Sequence, residues 1–204
     1  MSAVVFSVHA PRQSWGVDRT ISDPSSVPVP TFSGVIGMIA NALGRTRDED
    51  ISDLSSLGFA VRVDNPGEVR VEYQTQEKED SIKTQKEAGR YVAKVQKNAV
   101  YLADASFTIA VSTDDDALAE RIAEALTTPE RSLYLGRSSM PIGFVEASVE
   151  QGDGAEALRD GEGKPVHRTA RPGEEFSYRV RDLPVSFGSG LRHYLNRDVL
   201  VSSS

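Results

Sequence analysis

No cysteine occurs among the 204 residues, which excludes disulfide scaffolds and thiolate metal sites. No run approaches the ~20 apolar residues that a membrane-spanning helix needs. The N-terminal MSAVVFSVHAP has too short an apolar stretch and too few basic residues for a secretory signal. The expectation is therefore a soluble, cytoplasmic protein without membrane contact. Histidine is scarce: His9, His167 and His193 are scattered, and none has a second ligand at metal-binding spacing. No metal and no cofactor is expected. Asp114, Asp115 and Asp116 read as charges at a helix start rather than as a cation site. No Gly-Lys-Ser/Thr follows the glycines, so a P-loop is absent.

What is present suffices for a core, since 39% of the residues are hydrophobic. The length fits one domain with additions or two small ones. The net charge of −7 argues against a general nucleic-acid coat, but it is unevenly spread. Between Ser81 and Val100, five cations face only Glu87, a net of +4, which leaves −11 on the remainder. A basic strip on an acidic body points to a confined contact with an anion such as a short piece of RNA.

Ala3 to His9 reads as a buried strand, followed by a Pro- and Ser-rich loop to Pro30, long enough to be functional. A helix begins after Pro30, with Thr31 and Ser33 as N-cap candidates. Val35, Ile36, Ile39, Ala42 and Leu43 fall on one side of it. The other side collects Ser33, Gly34, Gly37, Asn41 and Gly44. Each glycine costs roughly 1 kcal/mol relative to alanine, so something compensates. Either another segment packs closely there, or the bare helix start and its positive dipole end receive a phosphate.

Leu57 to Asp64 and Glu68 to Gln74 alternate as strands around the turn Asn65-Pro66-Gly67. Thr75 to Ala99 is polar and basic and reads as an inserted arm. Ser106 to Ser112 is a strand, and Thr113 is expected to cap the amphipathic helix DDDALAERIAEAL. Ser132 to Leu135 and Gly143 to Val149 supply extended segments. The order β-α-β, arm, β-α-β suits an α+β, ferredoxin-like sheet of the RNA-recognition-motif type. Residues 1–150 would form this domain, with the arm at about 75–104. Residues 151–204 would form a loop and a small C-terminal β extension.

Three constellations bear on chemistry. In Pro11-Arg12-Gln13-Ser14-Trp15-Gly16 the one tryptophan stands beside an arginine and a glutamine. It would stack on a base while Arg12 and Gln13 donate hydrogen bonds, or it anchors the loop. Lys83, Lys86, Arg90, Lys94 and Lys97 are spaced 3, 4, 4 and 3, which on a helix makes one cationic rail for phosphates or a plain solvated face. Tyr134, Gly136, Arg137 and Ser138 offer a turn with donors for phosphate or ribose.

Taken in order, PRQSWG, PTFSGVIGMIANALG, YLADASFTIAV and LYLGRSSMPIG resemble the CasD family of type I-E CRISPR Cascade. That family's pattern runs Pro-x-Gln-Ser/Ala-Trp-Gly, Pro-Thr-x-Ser-Gly, Asp-Ala-Ser-Phe-Thr and Tyr-Leu-Gly-Arg-x-Ser-x-Pro. The likeness covers roughly the first 145 residues, with Pro184, Phe187, Arg192 and Tyr194 matching further on. It implies a non-catalytic subunit that caps the 5′ handle of the guide RNA, with the arm as a thumb. It further implies contacts with a CasC-like backbone subunit and a CasA-like large subunit, and adds Arg192 to the RNA-binding set. A rival is the repeat-cleaving endoribonuclease of the I-C subtype, which uses a tyrosine and an adjacent Lys-His pair; no such pair occurs here. A free-standing nucleotide-binding domain would leave the basic arm unexplained.

Overall fold

Alternating apolar residues form the first strand, β1 (Ser2–His9), with Val4, Phe6 and Val8 buried on one side. The computed structural model describes residues 1–16, 28–77, 94–159, 163–188 and 193–203. After β1 come β2 (Arg12–Gln13), helix α1 (Phe32–Ala42), the one-turn α2 (Ser52–Ser55) and β3 (Gly58–Asn65). Strands β4 (Glu68–Glu77), β5 (Lys94–Ala103) and β6 (Ser106–Thr113) follow, then helix α3 (Asp116–Thr127) and β7 (Ala147–Gln151). A short α4 (Gly154–Ala157) precedes β8 (Pro165–Thr169), β9 (Tyr178–Ser186) and β10 (His193–Ser203).

Seven strands form one antiparallel sheet in the order β7-β1-β6-β3-β8-β10-β9. Helices α1 and α3 cover the face carrying Phe6, Phe59, Phe107 and Ile109. Thr31 caps α1 by accepting from the Gly34 N–H, and Val35, Ile36, Ile39 and Ala42 are buried as their spacing predicts. Phe32, Met38 and Ala40 are buried as well, so α1 is enclosed on most of its circumference. Its end is met from outside: the Glu130 N–H donates to Ala42 O at 2.9 Å, and just past the helix the Arg131 guanidinium donates to Gly44 O at 2.6 Å and Arg45 O at 2.7 Å.

Two local expectations change. The cap of α3 is Asp115, whose carboxylate accepts from the Leu118 N–H at 3.1 Å, while Thr113 instead accepts from the Asp115 N–H. An aspartate there satisfies both the orphan donor and the helix dipole. Among 132–135 and 143–149, only the bridge Tyr134–Pro141 and the strand from Ala147 have ladder character.

The opposite sheet face is not open over its centre. Gly154, Ala155 and Leu158 cross it and pack on Ala60, Ala110 and Val166. A Cβ at Gly154 would stand 2.9 Å from that of Ala110, so the crossing depends on small residues.

The arm is a separate three-stranded sheet, β2-β5-β4. Its hairpin pairs from Glu68–Ala103 to Glu77–Lys94, so the paired arm begins ahead of the expected Thr75. Gly67 makes the exit from β3 possible: its φ is +65°, and a side chain would strike Ala103 O. Lys94 and Lys97 lie on strand β5, which removes the expected helical rail from that end; Lys83, Lys86 and Arg90 lie outside the described residues.

Candidate nucleic-acid interface

The chain leaves β1 at Ala10 and pairs Arg12 and Gln13 with Ala103 and Leu102 of the arm. Strand alternation sends these two side chains opposite ways. Gln13 is fully buried: its Nε2 donates to Ala105 O at 2.7 Å, and its Oε1 accepts from Trp15 Nε1 at 3.0 Å. Trp15 is 1% exposed, and its ring lies where a Cβ on Gly34 would come within 2.9 Å. The base-stacking expectation for Trp15 and the donor role of Gln13 are therefore corrected. Neither face of the indole is open, and the amide is used up inside. Gly34 is glycine because the tryptophan packs on it, whereas Gly37 meets only Phe187, at ordinary contact distance.

The phosphate expectation at the start of α1, through Ser33, Gly34 and Gly37, is also corrected. The Phe32 N–H donates to Asp182 Oδ2 at 2.8 Å, and Thr31 holds the Gly34 N–H. The buried Asp182 carboxylate receives Arg197 Nε at 2.8 Å and a second guanidinium nitrogen at 2.7 Å. The dipole end thus already faces an anion of the chain itself. Above the pair, the Arg197 guanidinium lies 5.1 Å from the Phe59 ring centroid and 5.8 Å from that of Phe32.

Arg12 turns outward. It pairs with Glu72 at 2.7 Å and lies 4.3 Å from the centroid of the Tyr101 ring. Glu72 also accepts from Gln74 at 2.9 Å. Its carboxyl is held below the usual range first by the bond from Arg12, then by that from Gln74, with a smaller pull from the Arg137 charge. The Arg12 guanidinium is raised in turn by Glu72.

Arg137 donates to Val100 O at 3.1 Å, which ties the 134–141 loop to the arm. The loop is pinned further by Ser14 N–H to Leu135 O at 3.0 Å. At Gly136, with φ +87°, a Cβ would overlap Ser14 O, so only glycine closes this contact.

The structure thus brings Arg12, Tyr134, Gly136, Arg137 and Ser138 to the root of the arm, where Glu72 pairs with Arg12 and also feels the charge of Arg137. Ser138 is exposed, Tyr134 is on the margin of exposure, and nearby in sequence Phe144 projects with 69% of its surface open. Glu72, Tyr101 and Phe144 were missed by the sequence reading. The first two join the face of Arg12 only once the β2-β5-β4 register is known. Arg192 lies outside the described residues. Among the described residues, no three His, Asp or Glu side chains converge as a metal site, and no helix is long and apolar enough to cross a membrane.

Residues 3–200 match the family model described as CRISPR-associated protein (Cas_Cas5). The chain is 30% identical over 152 residues to the CRISPR system Cascade subunit CasD of Escherichia coli (strain K12), covering 69% of this chain and 67% of that one. A solved structure titled "Crystal structure of Cas protein" is 30% identical with a TM-score of 0.76, covering 98% of this chain and 94% of the other. A chain of a "CRISPR RNA-guided surveillance complex" is 27% identical with a TM-score of 0.80, covering 99% and 90%.

Proposed function

The chain belongs to the Cas5 family of CRISPR-associated proteins, and from that membership we propose that it is a Cascade subunit that binds guide RNA without cutting it. The observation that carries this reading is the arginine pair at the arm root. Arg12 pairs with Glu72, which also feels the charge of Arg137, beside exposed hydroxyls and rings. A phosphate competes there for donors that Glu72 now holds, through charge-assisted bonds, while an exposed ring stacks a base. The contact captures the repeat-derived 5′ handle at the arm root rather than on the sheet face, whose centre is covered by Ala155 and Leu158.

The finer architecture follows the same reading. Strands β7, β1, β6 and β3 with α1 and α3 correspond to a ferredoxin-like, RNA-recognition-motif-like unit within residues 1–150. The arm is its thumb, and residues 151–204 extend the sheet. A CasC-like backbone subunit and a CasA-like large subunit flank it in a cytoplasmic ribonucleoprotein. The endoribonuclease alternative is not favoured, because the chain holds no adjacent Lys-His pair and its three histidines, His9, His167 and His193, lie on three different strands.

The test is co-purification with the Cascade subunits and sequencing of bound RNA. Wild type should retain guide RNA, and Arg12→Glu combined with Arg137→Glu should lose it while the protein melts normally. Retention of guide RNA by the folded double variant defeats the assignment to the arm root. Site-specific cleavage of labelled repeat RNA by the wild-type chain defeats the non-catalytic reading.

A further inference from the structure

Strand β4 forms one edge of the arm sheet, and no strand lies beyond it among the described residues. Its alternate residues Val69, Val71 and Tyr73 are 63%, 63% and 61% exposed. Single exposed apolar residues are ordinary, but three in a row on one face of one edge strand are not. Strand alternation puts Glu68, Arg70 and Glu72 on the other face.

The same three apolar residues also hold the free backbone groups. In an antiparallel pair, every second residue turns its N–H and C=O toward the neighbouring strand. Val100 O accepts from Arg137, whose loop is pinned on the β2 side at Ser14. Ala103 O points the other way, since a Cβ on Gly67 at the start of β4 would come within 2.4 Å of it. Ala103, Tyr101 and Ala99 therefore bond Glu68, Arg70 and Glu72 across the hairpin. Val69, Val71 and Tyr73 turn their amides and carbonyls to the open edge.

Such an edge is a template for another strand, and the charges say which. Let β4 of a second copy run antiparallel, with a two-fold axis through Val71. Arg70 then stands opposite the second copy's Glu72, and Glu72 opposite its Arg70. Val71 meets itself, and Val69 meets Tyr73 twice. The charged pairs fall at non-hydrogen-bonded positions, where opposed side chains are closest. Within one copy Arg70 bonds Glu68 and Glu72 bonds Arg12, both exposed enough to share a further partner.

Other axes lose this match. An axis at Arg70 or Glu72 opposes like charges. One at Tyr73 opposes Glu72 to Gln74, and one at Val69 runs Pro66 and Gly67 of the turn against Glu72 and Val71. With the axis at Val71, the two Gly67 exits are eight residues apart along the strands, about 27 Å at ~3.4 Å per residue. That is about three Debye lengths at physiological salt, so the acidic bodies are attached where their repulsion is screened.

We propose that the free chain pairs with a second copy of itself through β4, joining two three-stranded arm sheets into one. The contact is small and belongs to the transient class. It needs no RNA and does not rest on the guide-RNA reading.

Sedimentation velocity of the full chain without RNA tests this, with melting curves to show that each variant is folded. A dimer and nothing larger should build up with concentration. Val71→Lys puts two cations on the axis and should weaken dimerisation at least tenfold. Arg70→Glu and Glu72→Arg should each fail to self-associate yet associate when mixed, since the mixed pair restores both opposite charges. The chain has no cysteine, so Val71→Cys gives a second readout. Hydrogen-bonded antiparallel neighbours are ~5.5 Å apart at Cα, within disulfide reach. Val71→Cys should link into dimers at least tenfold faster than Val69→Cys, whose two copies would be four residues apart along the strands.

A monomer at every concentration overturns the proposal, as does a dimer that Val71→Lys leaves unchanged. Charge variants that stay apart on mixing overturn it through the register. Open-ended aggregates in place of a dimer overturn it and make the edge an aggregation site. A monomer whose Val71→Lys variant fails to join the Cascade subunits overturns it and gives the stripe to another protein.

Discussion

Two arginine–carboxylate pairs in this molecule have similar contact distances and opposite roles. Arg197 and Asp182 meet at 2.7 Å with side-chain exposures of 7% and 1%. Arg12 and Glu72 meet at the same distance with exposures of 40% and 34%. In the first pair the carboxylate has a third task, the Phe32 N–H, so α1, β9 and β10 are joined through one anion. Neither charge can leave without stranding the other in the core. In the second pair water reaches both partners, the net contribution to stability is small, and a competing anion can replace the carboxylate. The surface pair is therefore the exchangeable one, and the RNA contact proposed above makes use of it.

The sharpest way to break this comparison is to remove one member of each pair. Arg197→Met leaves Asp182 buried and unpaired, and should cost about 3–5 kcal/mol in denaturant melts. Combining it with Asp182→Leu should recover much of that loss. Arg12→Ala should cost at most about 1 kcal/mol. Equal losses from the two single variants would show that burial does not separate the pairs.

Trp15→Ala belongs with the buried pair despite its polar neighbours. It should lose about 3–5 kcal/mol of stability, as deletion of a large core ring does. A folded Trp15→Ala protein of near wild-type stability that binds RNA poorly would return Trp15 to the ligand surface.

Next in size is the effect on RNA. Arg137→Ala should weaken guide-RNA binding by about 1.5–3 kcal/mol, the range of hydrogen bonds to charged groups. For each phosphate that is no longer neutralised, the logarithmic salt dependence should flatten by roughly 0.7. A salt slope identical to wild type would mean that Arg137 neutralises no phosphate.

The smallest expected effect is with pH. Burial holds His167 below its ordinary pKa of about 6.5, so the unfolded chain takes up that proton first. This contribution is complete above about pH 6.5 and is lost as pH falls from there through the lower folded value. Melting curves of His167→Gln should be flatter than wild type in that window. Parallel curves would mean that the imidazole is hydrated in the folded state.

Periodicity made much of this legible. The alternation in AVVFSVH and SFTIAVS and the helical spacing from Val35 to Ala42 each correspond to an observed element, because burial of one face decides them locally. Long-range partnerships were not legible. Phe32 and Asp182 are 150 residues apart, and nothing near either announces the other. Trp15 misled because Gln13, a polar residue, satisfies it from inside the core. The cation spacing misled at Lys94 and Lys97, where cross-strand pairing with β4 overrides the helical spacing.

The register of β1 also sets a timetable for synthesis. Val4 pairs with Val111 and Val149, and both partners are made long after it. At about 5–20 residues per second, β1 emerges and then waits on the order of 5–20 s for β6. During that interval Val4, Val5 and Phe6 have no strand beside them, which makes them a handhold for chaperones and a point of entry for aggregation. A strand that ends with partners on both sides begins as an exposed apolar stretch of the nascent chain.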